Sequence, residues 1–487
     1  MTCVIFIVAL NDAARAQEML PQIIVRLDDN ILPINPVRGA DGIWQSNIPS
    51  IDALNMEFGC TGIKKLYRGP HPSGNGLYVF AFPESSNMEN IANSFEQNSN
   101  VVFAEIDYLI PIGQPRNEPN DNLFTSEQGL EQMDAPEAWD IETGSANVII
   151  QIIDTGVDFA HPDLGPNMWQ NLGEDADGDG VVLIYDDPTD EWIFDPGDVN
   201  GIDDDSNGYI DDFVGWDFKF DDNDTNHDST GSDTHGTQVA STVAEQGNNF
   251  IGGVGVSWNS SIMAARAGSC FWISGKLYCA ITFSAAQAAW LYAIDNYANI
   301  VNMSWGDKFP STTEELNLLA VWNAGILPVA AAMHNFSGGS GTETPIYPAA
   351  YDHVVGVTAL NLDDTKQDAV QYGTWVNISA PRYDCTASFD LGGSPEHKYS
   401  CGYGATSTAS PYAAGLAALI WSKNPGLTNE QVRERMYFSS DNIDDVNPGL
   451  EGKLGAGRIN AFKALWNFET DTIPANTTWI ANTISTW

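Results

Sequence analysis

Between residues 120 and 468, short apolar runs alternate with longer segments whose apolar residues recur at helical spacing. The runs are five to eight residues long and apolar at nearly every position, which is typical of strands buried on both faces. Alternating strands and helices indicate parallel pairing, because each crossover helix returns the chain to the same end of the sheet. The sequence therefore predicts an α/β domain, with a mostly parallel central sheet and helices on both faces. The runs that support this prediction are NVIIQII, SIMAAR, IVNMS, ILPVAAAM and VVGVTAL.

The two ends of the chain have a different residue pattern from this central region. Residues 17–118 combine short β-like runs with one helical stretch near MENIANSFEQ and finish in a linker rich in Pro, Asn and Gly, which predicts a small α+β domain and a boundary. Residues 1–16 hold an apolar stretch and a small-x-small motif, which favours a signal peptide although an early basic region is missing. Residues 469–487 are Thr-rich and are expected to begin a C-terminal extension.

The charge balance narrows the possible partners. The chain has 65 Asp and Glu residues against 20 Lys and Arg, a net charge of −45. Such a surface repels nucleic-acid phosphates and anionic membranes, which argues against both as partners, and it fits a soluble secreted protein or one that holds cations. No stretch is long and apolar enough to suggest a membrane span. We therefore expect a secreted protein, extracellular or at the cell surface.

The spacing of the six cysteines suggests two local pairs. Cys270 and Cys279 bracket a short segment, as do Cys385 and Cys401. In an exported chain such pairs favour two disulfides. The alternative, buried free thiols, remains open on the sequence alone. Of the two remaining cysteines, Cys3 would leave with the signal peptide.

Three segments carry side chains suited to attack on an acyl carbon. Asp154 follows a buried strand in VIIQIIDTGVD, His235 opens a helix in DTHGTQVAS, and Ser407 opens a helix in GATSTASPYAAG. Ligands of open parallel sheets bind beyond the carboxyl ends of the strands, where these residues are expected. A hydroxyl becomes nucleophilic when an imidazole removes its proton and a carboxylate orients that imidazole. Singly, each residue fits an ordinary cap or strand end, but together they form a candidate catalytic triad.

Five motifs in order along the chain resemble those of the subtilisin-like serine peptidases, or subtilases: DTGVD, HGTQVAS, NMSWG, PAAYDHVVGV and ATSTASP. The resemblance covers about residues 120–465. It implies a subtilisin-like fold and a serine-type endopeptidase that hydrolyses polypeptides through an acyl-enzyme. It also implies two walls of a substrate cleft, in which an extended peptide pairs with exposed backbone. The wall residues are Ser304, Trp305 and Gly306 on one side and Ala331, Ala332 and Met333 on the other.

The chain departs from the family pattern at the position that binds the oxyanion. The family has Gly-Asn after the second wall, whereas this chain reads AAAMHNFSG. Direct alignment places His334 at the Asn position, and a shift of one residue places Asn335 there. Either side chain could donate a hydrogen bond alongside the backbone N–H of Ser407. Milder departures, which add weight to a catalytically impaired reading, occur at Gln238, Ala405, Thr408 and Tyr412.

Two acidic stretches between the first two triad residues resemble calcium-binding loops. In the first, three Asp residues alternate before Gly180, with a further Asp at the twelfth place, as in an EF-hand loop with Asp in place of Glu. The second stretch repeats the pattern less completely. Clustered carboxylates repel one another unless a cation lies among them, so we expect structural Ca²⁺ at one or both stretches, with a solvated acidic loop as the alternative. The candidate ligands are Asp175, Asp177, Asp179, Asp186, Asp203, Asp205, Asn207 and Asp211.

The early domain resembles the inhibitory propeptide of the family, since NVVFAEIDYLIPIG is similar to its last strand. Residues 119–468 would then be the catalytic domain, made as a secreted zymogen that its own propeptide inhibits until cleavage. A permanent accessory domain is the alternative for residues 17–118. Two other functions remain open for the whole chain: a catalytically impaired subtilase fold acting as a calcium-dependent binding or surface module, and an esterase that uses the same triad.

Overall fold

The computed structural model describes residues 21–66, 76–83, 86–107, 118–189, 191–227, 234–274, 276–335, 338–388 and 399–466. The expected signal peptide (1–16), the start of the linker up to residue 117 and the expected extension (469–487) lie outside the described residues. The chain divides into two compact units, 1–114 and 115–487. Each unit has a hydrophobic core of its own.

The first unit is an α+β unit built on an antiparallel sheet with the strand order β4-β5-β1-β6. Burial alternates along its central strand, so that one face of the sheet enters a core that includes Ile23, Phe80 and Phe95. The second helix was expected, but the first was not. The elements are β1 (Gln22–Leu27), β2 (Val37–Arg38), β3 (Trp44–Gln45), α1 (Pro49–Phe58), β4 (Gly62–Lys65), β5 (Leu77–Ala81), α2 (Met88–Glu96) and β6 (Val101–Ile106).

The second unit contains a sheet of seven parallel strands, in addition to three two-stranded hairpins. Its strands are β7 (Ile149–Asp154), β8 (Leu183–Asp186), β9 (Glu191–Phe194), β10 (Gly215–Asp217), β11 (Ser261–Arg266), β12 (Gly268–Ile273), β13 (Lys276–Ile281), β14 (Ile300–Met303), β15 (Leu327–Ala331), β16 (Val355–Ala359), β17 (Ile378–Ala380), β18 (Asp384–Ala387) and β19 (Tyr399–Tyr403). Its helices are α3 (Gln128–Gln132), α4 (Ala135–Trp139), α5 (His235–Ala244), α6 (Phe283–Asp295), α7 (Thr312–Asn323), α8 (Thr406–Lys423), α9 (Asn429–Ser439) and α10 (Ala461–Leu465).

The large sheet has the order β10-β11-β7-β14-β15-β16-β17 and is covered on both faces. Successive side chains of a strand point to opposite faces, so Ile152 joins the core formed with α5 and α8, while its neighbour Ile153 joins the core formed with α6 and α7. Burying each such side chain contributes roughly 1.5–3 kcal/mol. The predicted fold class, a mostly parallel sheet with helices on both faces, is confirmed.

Two of the hairpins carry the disulfides. Cys270 on β12 is bonded to Cys279 on β13, and Cys385 on β18 is bonded to Cys401 on β19. These are the two pairs that the spacing suggested. In the first unit, Cys60 is a buried free cysteine, and burial raises the pKa of its thiol to about 11. Within the described ranges, no helix is both long and apolar enough to cross a bilayer.

Candidate active site

Asp154 and His235 meet where β7 ends and α5 begins. The Asp154 side chain is only 2% exposed, and its Oδ1 lies 2.7 Å from His235 Nδ1. The same oxygen accepts the backbone N–H of Thr155 at 2.8 Å. Gly236 permits this close approach, because a Cβ at that position would lie 2.2 Å from the carbonyl oxygen of Gly156. The carboxylate is therefore placed to hold the imidazole in one orientation.

Ser407 is the second residue of α8, and its hydroxyl donates to the carbonyl oxygen of Ser304 at 3.1 Å. In return, the Ser304 hydroxyl donates to the carbonyl oxygen of Ser407 at 2.9 Å. This reciprocal pair ties the first turn of α8 to the segment that follows β14. Ser407 lies in the first turn of α8. Its backbone N–H is therefore one of the N-terminal N–H groups that lack an intrahelical acceptor, and it lies at the positive end of the helix dipole.

The register of the sheet brings the two halves of the site together. Strands β7 and β14 are parallel neighbours, with Asn302 opposite Ile152. Ser304 and Asp154 each lie two residues further on, and adjacent strands are about 4.8 Å apart. The carbonyl of Ser304, to which the Ser407 hydroxyl donates, therefore follows the strand next to the one that ends at Asp154. All three residues of the candidate triad lie at the carboxyl edge of the sheet.

A buried polar chain beneath Ser407 was not foreseen from the sequence. Ser410, one helical turn after Ser407, donates through its hydroxyl to Asn302 Oδ1 at 2.7 Å. The amide of Asn302 donates in turn to Ser304 Oγ at 3.1 Å. These three supporting side chains are at most 2% exposed. The only sequence signal was the three-residue spacing of the two serines, which places them on one helix face.

The two expected cleft walls approach each other at Gly306 and Met333. A Cβ built on Gly306 would lie 3.4 Å from Cγ of Met333 and 2.7 Å from Cγ2 of Ile346. Ala331 and Ala332 are fully buried, whereas Met333 is half-buried. Trp305 uses its indole N–H to reach the carbonyl oxygen of Ile153 at 2.8 Å. The space next to Gly306 is thus bounded by the side chains of Met333 and Ile346.

The two oxyanion candidates occupy different environments. His334 is exposed and forms an antiparallel bridge with Val370. Asn335 is half-buried, and its side-chain amide donates to the carbonyl oxygen of Ser340 at 2.8 Å. The preceding residue, Met333, has a φ of +62°, so a side chain occupies a left-handed backbone position at the end of this wall. In this conformation the side-chain amide of Asn335 forms a hydrogen bond within its own loop.

Two of the other departures from the family pattern have local structural partners. The buried hydroxyl of Tyr412 donates to the carbonyl oxygen of Tyr383 at 2.9 Å. Gln238, 7% exposed, accepts from the hydroxyl of Thr234 at 3.3 Å. Both side chains support the elements on which His235 and Ser407 lie.

The acidic stretches form two carboxylate groups, and their members differ from the sequence-based set. Glu174, Asp203 and Asp205 form one group, and Asp175, Asp177 and Asp198 form the other; in each group the ligand atoms lie within 4.8 Å of one another. Glu174 and Asp198 were missed, because neither fits the loop spacing that guided the search. The remaining candidates are not members of these groups. Asp179 accepts from Val181 N, Asp186 from Thr189 Oγ1 and Asp211 from Gly201 N, while the side-chain amide of Asn207 donates to Asp205, a member of the first group, and to Asp212.

Comparison of the chain with known proteins identifies its family. A family model described as the subtilase family matches residues 145–457, a span that contains all three triad candidates. The chain belongs to the subtilase family. The predicted enzyme class, a serine-type endopeptidase, is confirmed at the level of this family.

Alignments with individual relatives extend over most of the length of this subtilase. A thermophilic serine proteinase of Bacillus sp. (strain AK1) is 32% identical over 384 residues, which are 78% of this chain and 76% of the relative. Thermitase of Thermoactinomyces vulgaris is 30% identical over 71% of this chain and 99% of the relative. The halolysin-like extracellular serine protease Nep of Natrialba magadii is 28% identical over 79% of this chain and 60% of the relative.

The fold is also similar to that of a solved structure. A protease from Pseudoalteromonas arctica PAMC 21717 matches with a TM-score of 0.50 and 23% identity, covering 72% of this chain and 99% of that one. At this level of identity the match supports the subtilisin-like fold alone.

Proposed function

We propose that this subtilase hydrolyses internal peptide bonds of polypeptides with Ser407 as nucleophile, His235 as general base and Asp154 as the residue that orients His235. The observation that carries the proposal is the 2.7 Å contact between Asp154 and His235. The Ser407 hydroxyl donates to Ser304, which follows the strand next to the one that ends at Asp154. The resting hydroxyl donates to the Ser304 carbonyl, and rotation about χ1 is the movement that turns it toward the imidazole.

The reaction follows from these roles. His235 Nε2 takes the proton of Ser407 as its oxygen bonds to the peptide carbonyl carbon. The imidazolium then gives that proton to the leaving amine as the C–N bond breaks, which leaves an acyl-enzyme. Water, deprotonated by His235, attacks the ester, and the proton returns to Ser407. The backbone N–H of Ser407 at the helix start stabilises the oxyanion, together with a donor from Asn335 or His334.

An extended polypeptide is the substrate that best fits the two walls. Trp305 and Gly306 would line one side of the bound peptide and Met333 the other. Ser304, Ala331 and Ala332 are buried and would support these walls from behind. Backbone pairing with an extended strand gives affinity with modest dependence on side chains. The contact of Met333 with the space beside Gly306 favours a small side chain before the scissile bond.

We further propose that the chain is exported and made as a zymogen. Residues 1–16 act as the signal peptide, residues 17–118 as the inhibitory propeptide and residues 119–468 as the catalytic domain. The separate core of the first unit supports independent folding of the propeptide. The relative Nep is named as an extracellular protease. Structural Ca²⁺ in the acidic insertion would stabilise the mature enzyme without taking part in the chemistry.

Labelling with a fluorophosphonate probe tests the catalytic proposal. Labelling of the mature wild type, and none of Ser407→Ala, supports it. Since Met333 and His334 replace the usual Gly-Asn, absence of labelling after propeptide removal would instead support a catalytically impaired calcium-dependent binding module. Casein cleavage measured beside short-ester hydrolysis separates the peptidase from an esterase, and the mass of the incubated chain with and without calcium reports maturation.

A further inference from the structure

The β12–β13 hairpin leaves the large sheet directly beside the candidate catalytic pair. Arg266, the last residue of β11, lies opposite Asp154 in the parallel register. The backbone N–H of the next residue, Ala267, donates to the carbonyl oxygen of Asp154 at 2.8 Å. Strand β12 begins one residue later, at Gly268. The hairpin forms a two-stranded sheet of its own among the described strands, and neither expected cleft wall includes it.

The base of the hairpin is connected to one wall of the proposed cleft. Ile281, the last residue of β13, packs against the hydrophobic cluster that contains Trp290, and so does the wall residue Trp305. The rings of Trp290 and Trp305 are stacked, with centroids 6.1 Å apart. The surface of the hairpin is therefore continuous with the wall formed by residues 304–306.

One face of the hairpin exposes large apolar side chains to solvent. Successive strand residues point to opposite faces, so Phe271 and Ile273 lie on the same face of β12. Tyr278 of β13 is directly opposite Phe271 in the antiparallel register. These three side chains are 45–50% exposed. Single exposed apolar residues are ordinary, whereas a contiguous group of them is typical of a binding surface.

A fourth apolar side chain comes from the segment after β10. Ser269 lies on the same face of β12 as Phe271, and its hydroxyl accepts a hydrogen bond from Lys219 Nζ. Lys219 Nζ lies 5.0 Å from the centroid of the Phe220 ring, and Phe220 is 54% exposed. The four exposed side chains, which we call the apolar face, are Phe220, Phe271, Ile273 and Tyr278.

A disulfide holds the hairpin in shape. Cys270 and Cys279 are bonded directly across the two strands and lie on the face opposite to Phe271. An isolated two-stranded hairpin is only marginally stable in water, so the cross-link replaces the support that further strands would give. The apolar face is thus ordered before a ligand binds, which reduces the entropy lost on binding.

We propose that the apolar face binds apolar side chains of the polypeptide substrate at a distance from the scissile bond. This inference rests on the peptidase function proposed above and adds a determinant of substrate choice beyond the two walls. Phe271 is four residues beyond Ala267, or about 13 Å along a strand. An extended peptide covers that distance with about four residues. The preferred substrate is therefore an extended chain with aromatic or aliphatic side chains about four to six residues from the cleaved bond.

The charge of the protein favours a peptide over a second copy as the occupant. At a net charge of −45, two copies of the chain repel each other, and anionic membranes are repelled as well. An apolar segment of an unfolded polypeptide meets no comparable repulsion. The continuity of the apolar face with the cleft also allows one peptide to occupy both.

Two fluorogenic peptides of about 12 residues, hydrolysed by the mature enzyme, test the proposal. Both carry the same central cleavable sequence, but one has Phe-Leu near each end and the other has Ser-Ser there. The selectivity ratio is kcat/KM for the Phe-Leu peptide divided by kcat/KM for the Ser-Ser peptide. It should be roughly 10 in the parent, mainly through a lower KM, because further apolar surface is buried. The double variant Phe271→Ser/Tyr278→Ser should hydrolyse the two peptides at similar kcat/KM.

Phe438→Ser is the matched control. Phe438 is 77% exposed on α9, so this variant also removes an exposed ring, but not from the hairpin. It should keep the selectivity ratio of the parent. The thermal midpoint of each variant reports whether the fold is intact, and if the double variant does not fold, Ile273→Ser serves in its place. If the parent is inactive, fluorescence anisotropy of the two labelled peptides replaces the kinetics, and equal affinities would overturn the proposal.

The proposal is wrong if the parent hydrolyses both peptides equally well, or if Phe438→Ser lowers the selectivity ratio as much as the double variant. It is also wrong if sedimentation shows a dimer that the double variant dissociates, because the apolar face would then be an interface between copies. Fluorophosphonate labelling of Ser407 is measured separately, so failure of this inference is distinguishable from failure of the peptidase function.

Discussion

Replacing Ser304 with alanine would test whether the reciprocal Ser304–Ser407 pair holds the nucleophile in place. The change removes the donor to the Ser407 carbonyl (2.9 Å) and the acceptor of the Asn302 amide (3.1 Å). A buried donor left without an acceptor costs about 1–3 kcal/mol, so the free energy of unfolding should fall by about that amount. Loss of the Ser304 hydrogen bond also frees the first turn of α8 and allows Ser407 to shift. A misplacement of about 1 Å can lower the catalytic rate by about 100-fold.

The expected result is therefore a fall of roughly 10–100-fold in kcat with little change in KM, because peptide backbone contacts are retained. Mature enzyme and a peptide p-nitroanilide give the kinetic constants, and urea unfolding in the Ser407→Ala background gives the stability. Ser410→Ala is the matched control: it leaves Asn302 Oδ1 without its donor at 2.7 Å, yet keeps both bonds of the Ser304–Ser407 pair.

The two variants should lose similar stability, while only Ser304→Ala loses most of its turnover. If Ser304→Ala keeps full kcat, the pair does not position the nucleophile. If both variants lose kcat in proportion to their loss of stability, the effect is general loosening of the fold, and the positioning argument is wrong.

Three further predictions concern other parts of the second unit. Met333→Gly should raise kcat/KM for a Phe substrate relative to an Ala substrate by about 10-fold or more, because it removes the side chain that meets the space beside Gly306; an unchanged ratio would place Met333 outside the pocket. Burial raises the pKa of Glu314 from 4.5 to about 7, so the folded state holds a proton that the unfolded state releases, and stability should fall as pH rises from about 4.5 to about 7. In the Ser407→Ala background, Glu314→Gln should reduce the change in the free energy of unfolding across this pH range by about 1–3 kcal/mol, measured by urea unfolding. An identical pH profile in the two proteins would contradict the raised pKa of Glu314. Replacing Cys270 and Cys279 together with Ser should lower the free energy of unfolding by about 2–3 kcal/mol, as expected for a loop with a separation of 9 residues, whereas equal stability would show that the hairpin stays closed in the unfolded chain.

The architecture of the second unit was predictable because its signal is local and repeated. Five of the seven strands of the large sheet read as apolar runs, and the intervening helices indicate their parallel direction. The two outer strands, β10 and β17, have three residues each and were not predicted. Helix α1 was missed although Pro49 opens it and Gly59, at φ 71°, ends it, which are ordinary helix-end signals. Only its N-cap is unmarked, since Ile48 makes no side-chain cap bond. Its formation depends on packing of residues such as Ile51 into the core of the first unit, which the local sequence does not reveal.

The candidate triad was predictable for a related reason. Asp154 is the last residue of a strand, while His235 and Ser407 lie in the first turns of helices, so the neighbouring sequence indicates these three positions. Asn302 and Ser410 were not marked, since their contact joins residues 108 positions apart. Asp198 was missed because its partnership with the 175–177 segment comes from folding of the β8–β9 hairpin rather than from loop spacing.

Met333, at φ +62°, is held in a backbone conformation that disfavours any side chain by about 1–2 kcal/mol and that glycine adopts freely. Mutation to glycine would thus make the protein sturdier and its substrate range broader in a single step. Stability and activity usually pull against each other during evolution, but at this position they would change together.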